Sequence, residues 1–113
     1  MSIVSIKIPD LLHSPYIIQP IPLNNQLYFF AYTWNIRHSR AYLSIYIKNN
    51  DELEYLVKNK CLIPGIEISK EINNKDWKGV LTFDKIWNGL QDDYRQDNIN
   101  IEFDIKYVLE DYL

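Results

Sequence analysis

Residues Gln26 to Asn49, QLYFFAYTWNIRHSRAYLSIYIKN, restrict the fold more than any other stretch of the chain. Leu27 to Trp34 is almost wholly apolar and aromatic, and Ala41 to Lys48 alternates apolar with polar or tyrosyl residues. Between them, Asn35 to Arg40 is charged and rich in turn formers. Aromatic and β-branched residues suit a pleated, half-buried surface, and a polar turn between two such runs predicts a β-hairpin. The side-chain period of two places Ala41, Leu43, Ile45 and Ile47 inward, and Tyr42, Ser44, Tyr46 and Lys48 outward. On the first strand the bulkier set, Tyr28, Phe30, Tyr32 and Trp34, is expected inward, with Phe29, Ala31 and Thr33 outward. A strand apolar on both faces is either covered twice within the chain or covered by another subunit.

The flanking sequence continues the β pattern. Ser2 to Ile8 alternates as a short strand ended by Pro9 and Asp10. Pro15, Pro20 and Pro22 mark an arm or edge segment, because proline cannot donate to a ladder. Asn24-Asn25 predicts a tight turn. Glu54 to Lys58 is expected as a third core strand, followed by a turn at Asn59-Lys60. Pro64-Gly65 fits the centre of a type II turn. Ile66 to Ile68 and Gly79 to Phe83 are expected as short strands, with a polar loop over Ser69 to Lys78. Asp84 to Gln96 has helical spacing at Ile86, Trp87, Leu90 and Tyr94, but Gly89 costs a helix about 1 kcal/mol, so the expectation is a loop with at most a short helix. Ile99 to Tyr107 alternates as the last strand, and Leu109, Tyr112 and Leu113 anchor a tail. The predicted fold is all-β: a small antiparallel sandwich or barrel of about seven short strands, with at most one short helix near 84–94. The expected organisation is an N-terminal strand or arm over 1–20 and a single β domain over 21–113.

Several kinds of chemistry are poorly served by this composition. A net charge of −3 and no run of basic residues disfavour nucleic-acid binding by phosphate contact or direct readout. Three glycines argue against a phosphate-cradling loop, and Cys61, the only cysteine, precludes an intrachain disulfide. No stretch approaches about 18 consecutive apolar residues, so no membrane helix is expected. His13 and His38 lack ligand spacing, and Cys61 lies in no reactive-thiol motif. Asp92, Asp93, Asp97, Glu102 and Asp104 are acidic and close in sequence, but lack the spacing of a calcium loop. No catalytic residue, metal or cofactor is assigned, and the chain is not expected to be an enzyme.

The surplus is aromatic: nine Tyr, four Phe and three Trp. Together with Arg, such residues are enriched at interface hot spots. The candidates for an interface are Tyr16, Phe29, Arg37, Tyr42, Tyr46, Trp77 and Trp87. A different reading makes Tyr42, Tyr46 and Trp77 or Trp87 the platform of a carbohydrate- or peptide-binding module. A third, resting on charge alone, is a small inhibitor with an acidic face.

Ile21-Pro22-Leu23, Tyr28-x-Phe30-x-Tyr32-x-Trp34-Asn35-x-Arg37, Tyr42-Leu43-x-Ile45, Tyr55-Leu56-Val57 and Leu62-x-Pro64-Gly65 occur in order along the chain. Gly89-Leu90 and Asn98 to Val108 follow them. This series resembles the baseplate plug family of contractile-tailed phages, typified by a cyanophage member. Ser39 stands where the family usually has a glycine, and Met1 to Pro20 looks like an added N-terminal segment. The resemblance implies a virion structural protein at the junction of hub, spike and tube. It would stabilise or close the lumen, contact other baseplate proteins and symmetric copies of itself, and be assembled in the host cytoplasm. It implies no reaction, cofactor or membrane.

Overall fold

The computed structural model describes residues 2–74, 76–86 and 92–109. Trp87, Gly89, Leu90, Tyr112 and Leu113 therefore lie outside the described residues. The strands are β1 (Ser2–Lys7), β2 (Tyr16–Leu23), β3 (Gln26–Asn35), β4 (Arg40–Asn49), β5 (Glu52–Cys61), β6 (Ile66–Glu67), β7 (Val80–Lys85) and β8 (Phe103–Leu109). A 3-10 turn spans Ile68–Glu71, and an α-helical turn, α1, spans Ile99–Glu102.

The strands form two antiparallel sheets of four. One is a meander in the order β2-β3-β4-β5. The other, ordered β1-β8-β7-β6, joins the two ends of the chain, with Ser2 opposite Leu109 and Ile6 opposite Ile105. Both sheets have open edges, so the fold is a sandwich and not a closed barrel. The molecule measures 35 × 34 × 19 Å, a slab whose thin dimension matches two sheet layers packed about 10 Å apart.

The core lies between the sheets. Tyr28, Phe30, Tyr32 and Trp34 of β3, with Ala41, Leu43 and Ile45 of β4, are buried as the pleat predicts. They meet Leu81 and Phe83 of β7 and Phe103, Ile105 and Tyr107 of β8. The 1–20 segment, expected as a strand or arm, supplies β1, which lies against β8, and the first part of β2 (Tyr16–Leu23), which lies against β3; each is an edge strand.

The segment near 84–94, expected to hold at most a short helix, lies partly outside the described residues; among the described residues β7 continues to Lys85 and a short helix lies at Ile99–Glu102. Two local expectations are corrected. The strand expected from Ile99 begins only at Phe103, because Asn98 favours a local turn. Its side-chain carbonyl accepts from the Arg95 N–H (2.6 Å), and its amide donates to Glu102 (2.8 Å). The expected turn at Asn59-Lys60 is instead a continuation of β5, which passes through two register irregularities against β4. The turn at Pro64-Gly65 forms as expected, with Gly65 at φ 89° and the Ile66 N–H donating to Ile63 O at 3.0 Å.

Candidate interaction surface

The outward faces of the two sheets differ in chemistry. On the β1-β8-β7-β6 sheet, Ser5, Lys106 and Thr82 face out in register, as do Lys7, Asp104 and Asp84, beside one aliphatic row of Ile3, Val108 and Val80, and no aromatic residue lies in these rows. On the meander, the outward row is Pro20, Phe29, Tyr46 and Tyr55, one residue from each strand and each directly opposite the next. Directly opposed side chains are the closest neighbours on a sheet face, so the rings stack. Phe29 and Tyr46 lie 5.3 Å apart with planes 13° from parallel, and Tyr46 and Tyr55 lie 5.4 Å apart. Lys48 Nζ sits 4.7 Å from the Phe29 ring centre and Lys58 Nζ 5.3 Å from that of Tyr55, so both rings carry a cation. Tyr16, Ile18, Leu27 and Leu53 extend the apolar area and are 61%, 41%, 45% and 48% exposed.

Tyr46 faces outward, yet it is only 6% exposed because Phe29 and Tyr55 enclose it. Burial raises its phenol above the ordinary value, and the nearby phenols of Tyr16 and Tyr55 add to the effect. The row is therefore a rigid ridge and not a set of separate side chains.

The other sequence candidates are dispersed. Arg37 is exposed at the tip of the β3–β4 turn. In that turn the Asn35 carboxamide accepts from the His38 N–H (2.9 Å), and the His38 ring meets the Tyr42 hydroxyl (2.9 Å). Trp77 packs edge-on against the inward rings of Tyr28 and Tyr107, at 5.2 and 5.7 Å, and its indole N–H donates to Gly79 O (3.0 Å). It closes one end of the core and shares no face with Tyr42 and Tyr46. The carbohydrate platform built on these three is therefore not assembled. Trp87 lies outside the described residues.

The acidic residues have separate partners. Asp93 is held by both Arg40 guanidinium nitrogens (2.6 and 2.8 Å), Asp92 by Lys85 (3.1 Å), Asp97 by Arg95 (3.0 Å) and Asp104 by Lys106 (3.2 Å). Among the described residues, no three His, Cys, Asp or Glu side chains converge on one point.

Two features escaped sequence reasoning. Tyr55, expected in a core strand, ends the outward ridge because the irregularity beside Leu56 shifts the facing of β5, with Val57 buried at 2%. Tyr94 was visible only as a helix-spaced aromatic. It is buried between Trp34, Phe83 and Phe103, accepts from the Ala41 N–H (3.0 Å) and donates to Leu62 O (2.6 Å). Arg40 lies over its ring, 5.2 Å from the centre.

A family model described as the cyanophage baseplate Pam3 plug gp18 matches residues 5–110. No curated protein and no solved structure matched the chain.

Proposed function

The chain belongs to the cyanophage baseplate plug family, and from that premise we propose that it sits where hub, spike and tube meet and closes or stabilises the lumen before contraction. The family places the protein in the virion, as a structural component of the tail baseplate that works by contact with other baseplate proteins. The finer reading names hub, spike and tube initiator, with further copies of the chain, as the neighbours, and host cytoplasm as the place of assembly. No reaction is needed for such a role.

The observation that supports docking is the ridge Pro20–Phe29–Tyr46–Tyr55 on the outer face of the meander. A pre-stacked aromatic ridge loses little side-chain entropy on binding, and anchors of this kind carry most of the energy of an interface. Tyr55→Glu places a charge at the exposed end of the ridge without opening the core. The variant should retain its β-sheet circular dichroism and be lost from purified baseplates assembled in its presence. Normal incorporation would remove this face from the docking surface.

A further inference from the structure

Where Trp77 closes the end of the core, three short stretches enclose a cavity. Asn24 and Asn25 make the β2–β3 turn, both at positive φ, 50° and 63°, as a two-residue hairpin loop requires. Gln26 and Tyr28 follow on β3, Ile47 and Leu56 lie on β4 and β5, and Asn74, Asp76 and Trp77 complete the lining. The cavity measures about 200 Å³. That is below the ~300–1,000 Å³ of sites for drug-sized ligands and suits a single side chain.

Most of the polar atoms offered there are acceptors. The Tyr107 hydroxyl gives its proton to Lys78 O (2.6 Å), so the Asn24 carboxamide donates to it through Nδ2. Gln26 Nε2 donates to Leu27 O (3.2 Å), and Asn74 Nδ2 donates to the Glu54 carboxylate (2.9 Å). Each partner fixes which end of the amide is nitrogen. The Asn24 and Gln26 carbonyl oxygens are left without a partner among the described residues, and Asn25 offers both ends of its amide. Asp76 adds a negative charge. Its N–H donates to the Asn74 carboxamide (2.8 Å), but among the described residues no cation pairs with its carboxylate. Lys78 lines the adjoining hollow with Asp76 without forming an ion pair. Deeper in, Tyr28 is only 5% exposed, yet its hydroxyl has no hydrogen-bond partner among the described residues. That hydroxyl is not sealed from solvent, so it opens into the cavity. A buried tyrosine ordinarily finds a partner for its hydroxyl. Burial raises the Tyr28 phenol above its ordinary value, and the Tyr107 phenol and the Asp76 charge add to the effect, so Tyr28 and Asp76 act on the same space.

The walls are apolar. Trp77 stands edge-on to Tyr28 at 5.2 Å, and Ile47 and Leu56 are half-buried beside them. An aliphatic stem lies well on such a surface while a charged head reaches polar partners, and a cation gains further from aromatic rings. A sugar hydroxyl gives as well as takes a proton, and most of the amide nitrogens that would serve it are already engaged. A hard metal ion favours several carboxylates, and Asp76 is the only one in the lining. The geometry points to an organic cation as the occupant: the arginine or lysine side chain of a neighbouring protein, its head at Asp76 and Tyr28 and its stem on Trp77, Ile47 and Leu56. This site is separate from the aromatic ridge and does not depend on the proposed place in the baseplate.

Blocked tripeptides Gly-Arg-Gly, Gly-Lys-Gly and Gly-Gln-Gly, titrated into the isotope-labelled full chain at low salt, test the site by NMR. The arginine or the lysine peptide, or both, should shift the amides of Asn24, Asn25, Asp76 and Trp77 with millimolar affinity, and the glutamine peptide should not. Asp76→Asn should weaken binding about fivefold, the range of an exposed charge pair. Tyr28→Phe should weaken it about threefold and leave the melting temperature unchanged, because the hydroxyl it removes bonds to nothing in the fold. Equal shifts from the glutamine peptide, no shift from any of the three, or undiminished binding by both variants would overturn the assignment. Displacement of the basic peptide from the same residues by an equal concentration of calcium chloride would overturn it in favour of a metal ion.

Discussion

Ser39 holds φ at 50° where the β3–β4 turn re-enters the strand. The left-handed region costs a residue with a Cβ about 1–2 kcal/mol, and glycine escapes that cost while losing more chain entropy on folding. Ser39→Gly should therefore stabilise the chain by about 0.5–1 kcal/mol, read as a raised urea midpoint at unchanged slope. This site was legible beforehand, since the family resemblance marked the position as one that favours glycine. Gly79 was not. Its φ is 97°, and an added Cβ would lie 2.6 Å from Tyr107 Cε1 and 2.8 Å from Val108 O. Tyr107 cannot easily move aside, because its hydroxyl donates to Lys78 O at 2.6 Å and accepts from the Asn24 amide. Gly79→Ala combines strained backbone with overpacking and should cost about 3 kcal/mol in chemical denaturation. Tyr94→Phe strips the buried Ala41 N–H and Leu62 C=O of one partner and should cost about 2 kcal/mol by the same measurement. Nothing near Gly79 or Tyr94 in sequence announces these contacts, because the partners come from distant strands.

Arg40 and Asp93 fasten the loop before α1 to the start of β4. The guanidinium holds the Asp93 carboxyl below the usual carboxylate range by hydrogen bonding, against a smaller opposing effect of burial. A carboxyl depressed in the folded state contributes stability above its unfolded pKa, and that contribution is lost as pH falls through the folded value. The Asp93 side chain is 53% exposed, which limits the pair to about 1 kcal/mol or less. The melting temperature of Asp93→Asn should lie below wild type near neutral pH and converge with it in acid, as pH falls below the ordinary carboxylate range. A gap that persists into acid would locate the effect of the substitution outside the ion pair. Legibility at this scale followed alternation. β3 and β4 were readable to their inward residues, because one face of each supplies the core and a slip of one residue would expose it. Periodicity failed where side chains override the backbone pattern. Asn98 turns Ile99–Glu102 into a helical turn, leaving Ile99 buried and Ile101 67% exposed. The irregularities of β5 reverse the facing of its middle; Asn59, at φ 51°, marks one of them, but no residue type marks the one beside Leu56.

The sandwich class was readable from the whole chain, because several short alternating runs with turn signals leave few other ways to bury one face each. The difference between its two outer surfaces was not, since it depends on which strands become neighbours. The ridge needs Pro20, Phe29, Tyr46 and Tyr55 in one register, and only Phe29 and Tyr46 come from the predicted hairpin. The pairing of β1 with β8 has a further consequence for the order of events during folding. The meander closes by successive short turns, whereas Ser2 reaches its partner Leu109 only once β8 has emerged, after all the other strands. Loop closure over such a separation is slow and entropically costly, while local hairpins form early. On the ribosome the meander should therefore collapse first, with its apolar inner side awaiting cover from strands still being synthesised. Pulse-labelled hydrogen exchange during refolding should find amides of β3 and β4 protected before those of β1 and β8. Simultaneous protection of both sheets would show that closure across the chain ends is itself the nucleating step.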